Sequence, residues 1–183
     1  EELAKAGVTL TDLIAAGVDT KTLQALGFNK EEIAKAAMGV CTAETATMYK
    51  EQGLSVKEIK QKGCNADVMK KAGFTAAQLK AAGFSAAQLK AAGYTAKELI
   101  DAGYNALSLK AAGFNAADLI AAGVPLAELK KAGFSAAQLK SAGISPEELL
   151  AAGYSPANLV SAGFSVEELV AAGLNAEDLL KAG

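Results

Sequence analysis

Residues 81–104 read AAGFSAAQLKAAGYTAKELIDAGY, which says nearly the same thing twice. Gly83, Gly93 and Gly103 stand ten residues apart, and so do Leu89 and Leu99. Outward from this stretch, glycine recurs at 7, 17 and 27, then at 53, 63 and every tenth residue to 183. Only Gly39 is out of register. A fixed internal period marks a repeat architecture, whose units stack because none can bury a hydrophobic face alone.

Aligned on the polar residue two places after glycine, the unit reads S/T/N, A, x, E/Q/D, L, K/I/V, x, A, G, F/Y/V. Each position has a helical task. Ser85, Thr95, Asn105 and Asn115 are N-cap residue types, as are Ser135, Ser145, Ser155, Ser165 and Asn175; their side chains satisfy orphan backbone N–H groups. Three places later stand Gln88, Glu98, Asp118, Gln138, Glu148 and Glu168, which complete capping boxes. Pro146 and Pro156 fall at the first helical position, where a missing N–H costs nothing. Glycine falls where a left-handed residue terminates a helix. The spacing predicts a helix of about seven residues, roughly 10 Å long at 1.5 Å per residue.

Such a helix does not survive alone in water. Leu89 is placed to hold it, because Phe84 before the helix and Tyr94 after it both pack on a residue at that position. Ala86, Leu89 and Ala92 form one apolar stripe, and the small alanines let neighbouring helices approach closely. Lys97, Asp101, Lys131 and Glu147 lie at positions that accept charge, so they face solvent. The expected fold is an all-α solenoid of short, two-turn helices, one per ten residues. Three segments are expected: degenerate repeats over 1–33, an irregular insertion over 34–53, and the regular array over 54–183.

A period of five is the rival reading. AAQLK AAGFS AAQLK AAGYT resembles the pentapeptide-repeat family, whose fold is a right-handed quadrilateral β-helix. Its inward positions would then hold Lys97, Glu147, Glu167 and Glu177, and buried unpaired charge is costly. The abundance of Ala, Leu, Lys and Glu also favours helix.

Composition excludes much chemistry. The formal net charge is −2, and every cation is lysine, with no arginine, histidine or tryptophan. Arginine forks for phosphate, imidazole bases and imidazole metal ligands are therefore missing. Acidic residues recur where capping and the helix dipole explain them. Each glycine stands alone, so no phosphate loop is present. The lysines at the sixth position of the unit (Lys80, Lys90, Lys110, Lys130, Lys140) are interleaved with acids, which favours a solvated face over a nucleic-acid groove. The expectation is a non-enzymatic chain with no catalytic residues, no cofactor and no metal. No run of about 18 apolar residues suggests a membrane span. Cys64 occupies the slot that Phe, Tyr or Val fills elsewhere and reads as a buried apolar substitute. Cys41 lies in the break AKAAMGVCTAETATMYKEQG (34–53), either reactive or paired; the sequence leaves both open. The break itself reads as a tolerated insertion or as a kink or partner site, and two longer helices would fit it.

In the last four repeats the sixth position changes to Leu150, Val160, Val170 and Leu180. Either local curvature buries this edge, or it is an exposed apolar strip that docks a neighbouring subunit. These four residues are the candidate interface.

The units resemble the decapeptide repeats in the middle of the DotG/IcmE family of the Dot/Icm type IVB secretion system. The resemblance is carried by Gly83, Phe84, Leu89, Gly93, Tyr94, Leu99, Gly103, Gly113 and their equivalents, all structural. It covers residues 54–183 well and 1–33 more loosely. It implies a periplasmic spacer or scaffold between an inner-membrane anchor and an outer-membrane channel domain, within a multiprotein envelope complex. Its partners would be other subunits of that complex, including further copies of itself. Nucleic acid and membrane contact by these residues are not implied. The alternative is a repeat-built peptide- or protein-binding module of adhesin type, favoured by units that differ systematically along one face. Residues 74–144 are instead close to interchangeable.

Overall fold

A computed structural model describes residues 8–37 and 40–183. The part of the degenerate repeats before residue 8, and Met38 and Gly39 in the break, lie outside the described residues. All regular structure among the described residues is helical, with no strand, so the β-helix alternative is set aside.

The local grammar explains each helix. In the repeat Ala86–Ala91, the backbone N–H of Gln88 donates to Ser85 Oγ at 3.2 Å, and Ser85 N–H donates to Gln88 Oε1 at 2.8 Å. At the preceding terminus, Gly83 N–H donates to Lys80 O at 2.8 Å and Phe84 N–H to Leu79 O at 3.0 Å. These are the paired bonds of a Schellman stop, and Gly83 holds the left-handed φ of 78° that it requires. The result is six helical residues per unit, from Leu10–Ala15 through Ala176–Ala182, apart from three longer helices. The last, Ala176–Ala182, has seven residues; Lys30–Ala37, with eight, runs into the break, and Ala43–Glu51, with nine, lies within it. Ala43–Glu51 still ends on a regular glycine stop at Gly53, with φ of 80°, and owes its length to an earlier start after Thr42. The helix Leu126–Lys131 starts at Pro125, which offers no side-chain cap.

Contacts divide the chain into two compact units, Glu1–Tyr94 and Thr95–Gly183. Within each, a helix packs on the next but one. In the first unit Ala43–Glu51 packs on Ala66–Lys71, and Val56–Gln61 on Ala76–Ala81. In the second, Ala96–Asp101 packs on Ala116–Ala121, and Ala116–Ala121 on Ala136–Ser141. Successive helices therefore alternate between two columns, and one structural layer is two decapeptides. The central leucines are the core: Leu79 and Leu89 in the first unit and Leu99 through Leu159 in the second are fully buried. Many helices open with an alanine buried beside them, as at Ala76, Ala86 and Ala136. Ahead of the break, Ile14, Leu23, Ile33 and Ala37 gather into a small core of their own.

Candidate functional site

The lysines expected to form a solvated face do something more specific. Lys60 Nζ donates to Ala82 O at 3.1 Å and to Gly83 O at 2.9 Å, and lies 4.3 Å from the Phe84 ring centre. Lys70 repeats this on Gly93 O, with the Tyr94 ring at 4.5 Å. In the second unit Lys110 reaches Gly133 O and Phe134, Lys130 reaches Gly153 O and Tyr154, and Lys140 reaches Gly163 O and Phe164. Each ammonium spans one layer to the carbonyl 23 residues ahead and the aromatic face beside it.

Local folding makes that acceptor. A Schellman stop leaves the glycine carbonyl outside the helix and turns it toward the neighbouring layer. The buried ring beside it adds a negative π face, which attracts a cation. The glycine also leaves room for the ammonium: a Cβ at Gly133 would lie 3.3 Å from Lys110 Nζ. A second link between layers comes from tyrosine. The Tyr94 hydroxyl donates to Phe74 O at 2.5 Å, and the Tyr154 hydroxyl to Phe134 O at 2.6 Å.

A rung of covalent kind sits at the break. Cys41 and Cys64 form a disulfide with Cα atoms 5.1 Å apart and a sequence separation of 23, the lysine–glycine separation. Cys64 is 2% exposed in the slot that holds a ring elsewhere. The sequence expectation of a buried apolar substitute is right about its burial, and the partner is Cys41.

Once the spacing is known, the sequence shows a pairing rule. Lysine at 50, 60, 70, 80, 90, 110, 130 and 140 stands 24 residues before a Phe or Tyr in every case. Where the sixth position is aliphatic, as at Ile100, Ile120 and Leu150, the residue 24 ahead is Val124, Ile144 and Leu174. This covariation is the signal that a reading at period ten passes over.

The structure places the structural residues named from the sequence in the core and at the helix stops. In the first unit Phe84, Leu89 and Tyr94 are buried, and Gly83 and Gly93 have φ of 78° and 83°. In the second, Leu99 is buried, and Gly103 and Gly113 have φ of 85° and 86°. The candidate interface divides: Leu150 and Val160 are half-buried, whereas Val170 and Leu180 are 54% and 84% exposed.

Many carboxylates are bound up in caps, and others, such as Asp67 and Asp101, pair with a lysine one turn away. Hydrogen bonds from the Thr9 side chain and then its backbone hold Asp12 below the usual carboxylate range, and Thr22 does the same for Asp19. Ser55 lowers Glu58 likewise. Glu44 shifts the other way: desolvation first, and then the negative charge of Asp19, push it up. It lies at a cleft of about 570 Å³ in the first unit, floored by Ile14, Leu23, Ile33 and Met48, with Lys30 and Lys71 at the rim. Among the described residues no three His, Cys, Asp or Glu side chains gather to hold a metal, and no helix is long and apolar enough to cross a membrane.

The model of the decapeptide repeat region family matches residues 53–126 and 113–183. The chain belongs to the decapeptide repeat family. No curated protein and no solved structure matches it. The matched decapeptide repeats contain both ends of each lysine rung from Lys60–Phe84 to Lys140–Phe164.

Proposed function

We propose that this chain is a non-enzymatic spacer and scaffold in the periplasmic part of a type IVB secretion core complex, where it contacts other subunits and further copies of itself. The observation that carries the reading is the use of the polar residues. Cap side chains, lysines and tyrosines recur at fixed intervals in links within and between layers, which suits a part whose task is length and surface. The resemblance of the units to the DotG/IcmE repeats supplies the setting. The Cys41–Cys64 disulfide supports an oxidising compartment, where such bonds persist. A cleft lined by Ile14, Leu23, Ile33 and Met48 favours, as a second reading, a binding module for an apolar peptide segment.

Thiol trapping in growing cells tests the location. Acid quenching followed by alkylation should find Cys41 and Cys64 oxidised together. A fully reduced pair would overturn the periplasmic reading. The spacer role is tested in the complex by removing two whole repeats, then replacing them with two of different surface sequence. Secretion should fall with the first change and return with the second. If the replacement does not restore it, the surface and not the length is what the complex uses.

A further inference from the structure

One helix of the N-terminal unit carries a second face besides the one it buries. Ala43–Glu51 buries Thr45, Ala46 and Tyr49 and packs on Ala66–Lys71. Its Glu44, Thr47, Met48 and Glu51 stand at i, i+3, i+4 and i+7, so they share another side of the helix. All four line the cleft of about 570 Å³, together with Ile14, Leu23 and Ile33 of the small core ahead of the break. That volume lies within the roughly 300–1,000 Å³ of ligand pockets. The cleft is internal to the array, with walls from five helices between Leu10–Ala15 and Ala66–Lys71.

The stripe fixes the chemistry of an occupant. The Thr47 hydroxyl is engaged by Ala43 O at 2.8 Å, and Met48 beside it adapts to the shape of an apolar side chain. Glu44 and Glu51 end the stripe about 10 Å apart along the axis, at 1.5 Å per residue. Neither pairs with a lysine among the described residues. Of the two rim lysines, Lys71 is bridged to Asp67 at 2.8 Å, which leaves Lys30 against the charges of Glu44, Glu51 and nearby Asp19. The rim is therefore net negative around an apolar floor. A helix with cations at i and i+7 and apolar residues at i+3 and i+4 is the complement of this stripe. We propose that the cleft is a docking groove for a basic amphipathic helix of a partner protein. Two apolar side chains rest on Ile14, Leu23, Ile33 and Met48, and a lysine or arginine meets each of Glu44 and Glu51. The inference rests on the second functional reading, binding of an apolar peptide segment, and adds the charge and spacing that select the segment. The spacer reading does not depend on it.

The test is fluorescence anisotropy of the 183-residue chain with labelled peptides that carry KAALLAAK at their centre. The peptides are about sixteen residues long, enough to form a helix on binding. Otherwise identical peptides with SAALLAAS and EAALLAAE are the comparisons. The KAALLAAK peptide should bind, the SAALLAAS peptide at least about tenfold more weakly, and the EAALLAAE peptide more weakly again. Glu44→Gln with Glu51→Gln should bring KAALLAAK down to the affinity of SAALLAAS, with the circular dichroism spectrum unchanged. KAALLAAK binding that survives both glutamine substitutions overturns the proposal. Equal affinity of the parent chain for KAALLAAK and SAALLAAS also overturns it, yet leaves the second functional reading standing. If no peptide binds the folded chain, the proposal and that reading fall together.

Discussion

A Cβ at Gly153 would lie 3.1 Å from Lys130 Nζ, whereas one at Gly73 would meet nothing within 4 Å. Both glycines hold φ above 70°, so alanine strains the backbone at either site by about 1 kcal/mol. Gly153→Ala should cost more than Gly73→Ala in urea unfolding, because it also dislodges an ammonium from its carbonyl and ring. Equal losses would mean that the rung contributes nothing to stability. Tyr154 offers a second probe. Burial pushes its phenol above the ordinary tyrosine range. A raised folded value adds stability at pH below the unfolded value, and that stability is lost as pH rises through the folded one. Burial raises Tyr104 likewise, so ultraviolet titration should show two tyrosines ionising later than in Gly-flanked peptides, and Tyr154→Phe should remove one of the two. At this scale the caps were legible in the sequence and the rungs were not. Ser85 and Gln88 meet three residues apart, inside one turn. Lys60 and Gly83 are 23 residues apart, and nothing in a ten-residue period points to that distance.

Six-residue helices hold together through tertiary packing, since helix nucleation alone is unfavourable at that length. Leu89 is fully buried in Ala86–Ala91, and that helix packs on Ala66–Lys71 in the same unit. Leu89→Ala should cost about 2–4 kcal/mol. Hydrogen exchange should quicken in Ala86–Ala91 and Ala66–Lys71 first, with Leu10–Ala15 unchanged. Uniform loosening throughout the unit would contradict nearest-neighbour stacking. Helix existence and length followed from capping types and glycine spacing, both local. The alternation of helices between two columns did not, because it depends on how a stop redirects the chain over two successive repeats. The longer helices at the break were visible as a possibility because the glycine phase slips there.

At the scale of the molecule, the disulfide and the lysine rungs are alternative answers to one need: a link from each layer to the next. The disulfide closes a loop with a sequence separation of 23 where the regular rung pattern is interrupted. Cys41→Ser should destabilise the N-terminal unit by about 3 kcal/mol, with Val40 to Gly53 exchanging fastest. An unchanged exchange map would remove the bond from any structural role. The sequence offered two cysteines without a reason to join them, since Cys64 alone is explained by the slot it fills.

The constant reach of the rungs has a genetic consequence. AGFSAAQLK occurs at 82–90 and again at 132–140, so unequal crossover between the matching gene segments deletes five whole decapeptides. In the product Ser141 follows Lys90, and Lys80 and Lys90 stand 24 residues before Tyr154 and Phe164. Both lysines again meet the spacing and ring type that the pairing rule requires, whereas Lys70 now stands 24 residues before Ile144 and loses the ring it had in Tyr94. The shortened chain, lacking residues 91–140, should fold with the same helicity per residue and a similar melting temperature. A deletion that shifts the glycine phase should instead be selected against. Arrays of this kind can gain or lose length by recombination with most rungs kept, and a single Ile144→Tyr change would restore the remaining one.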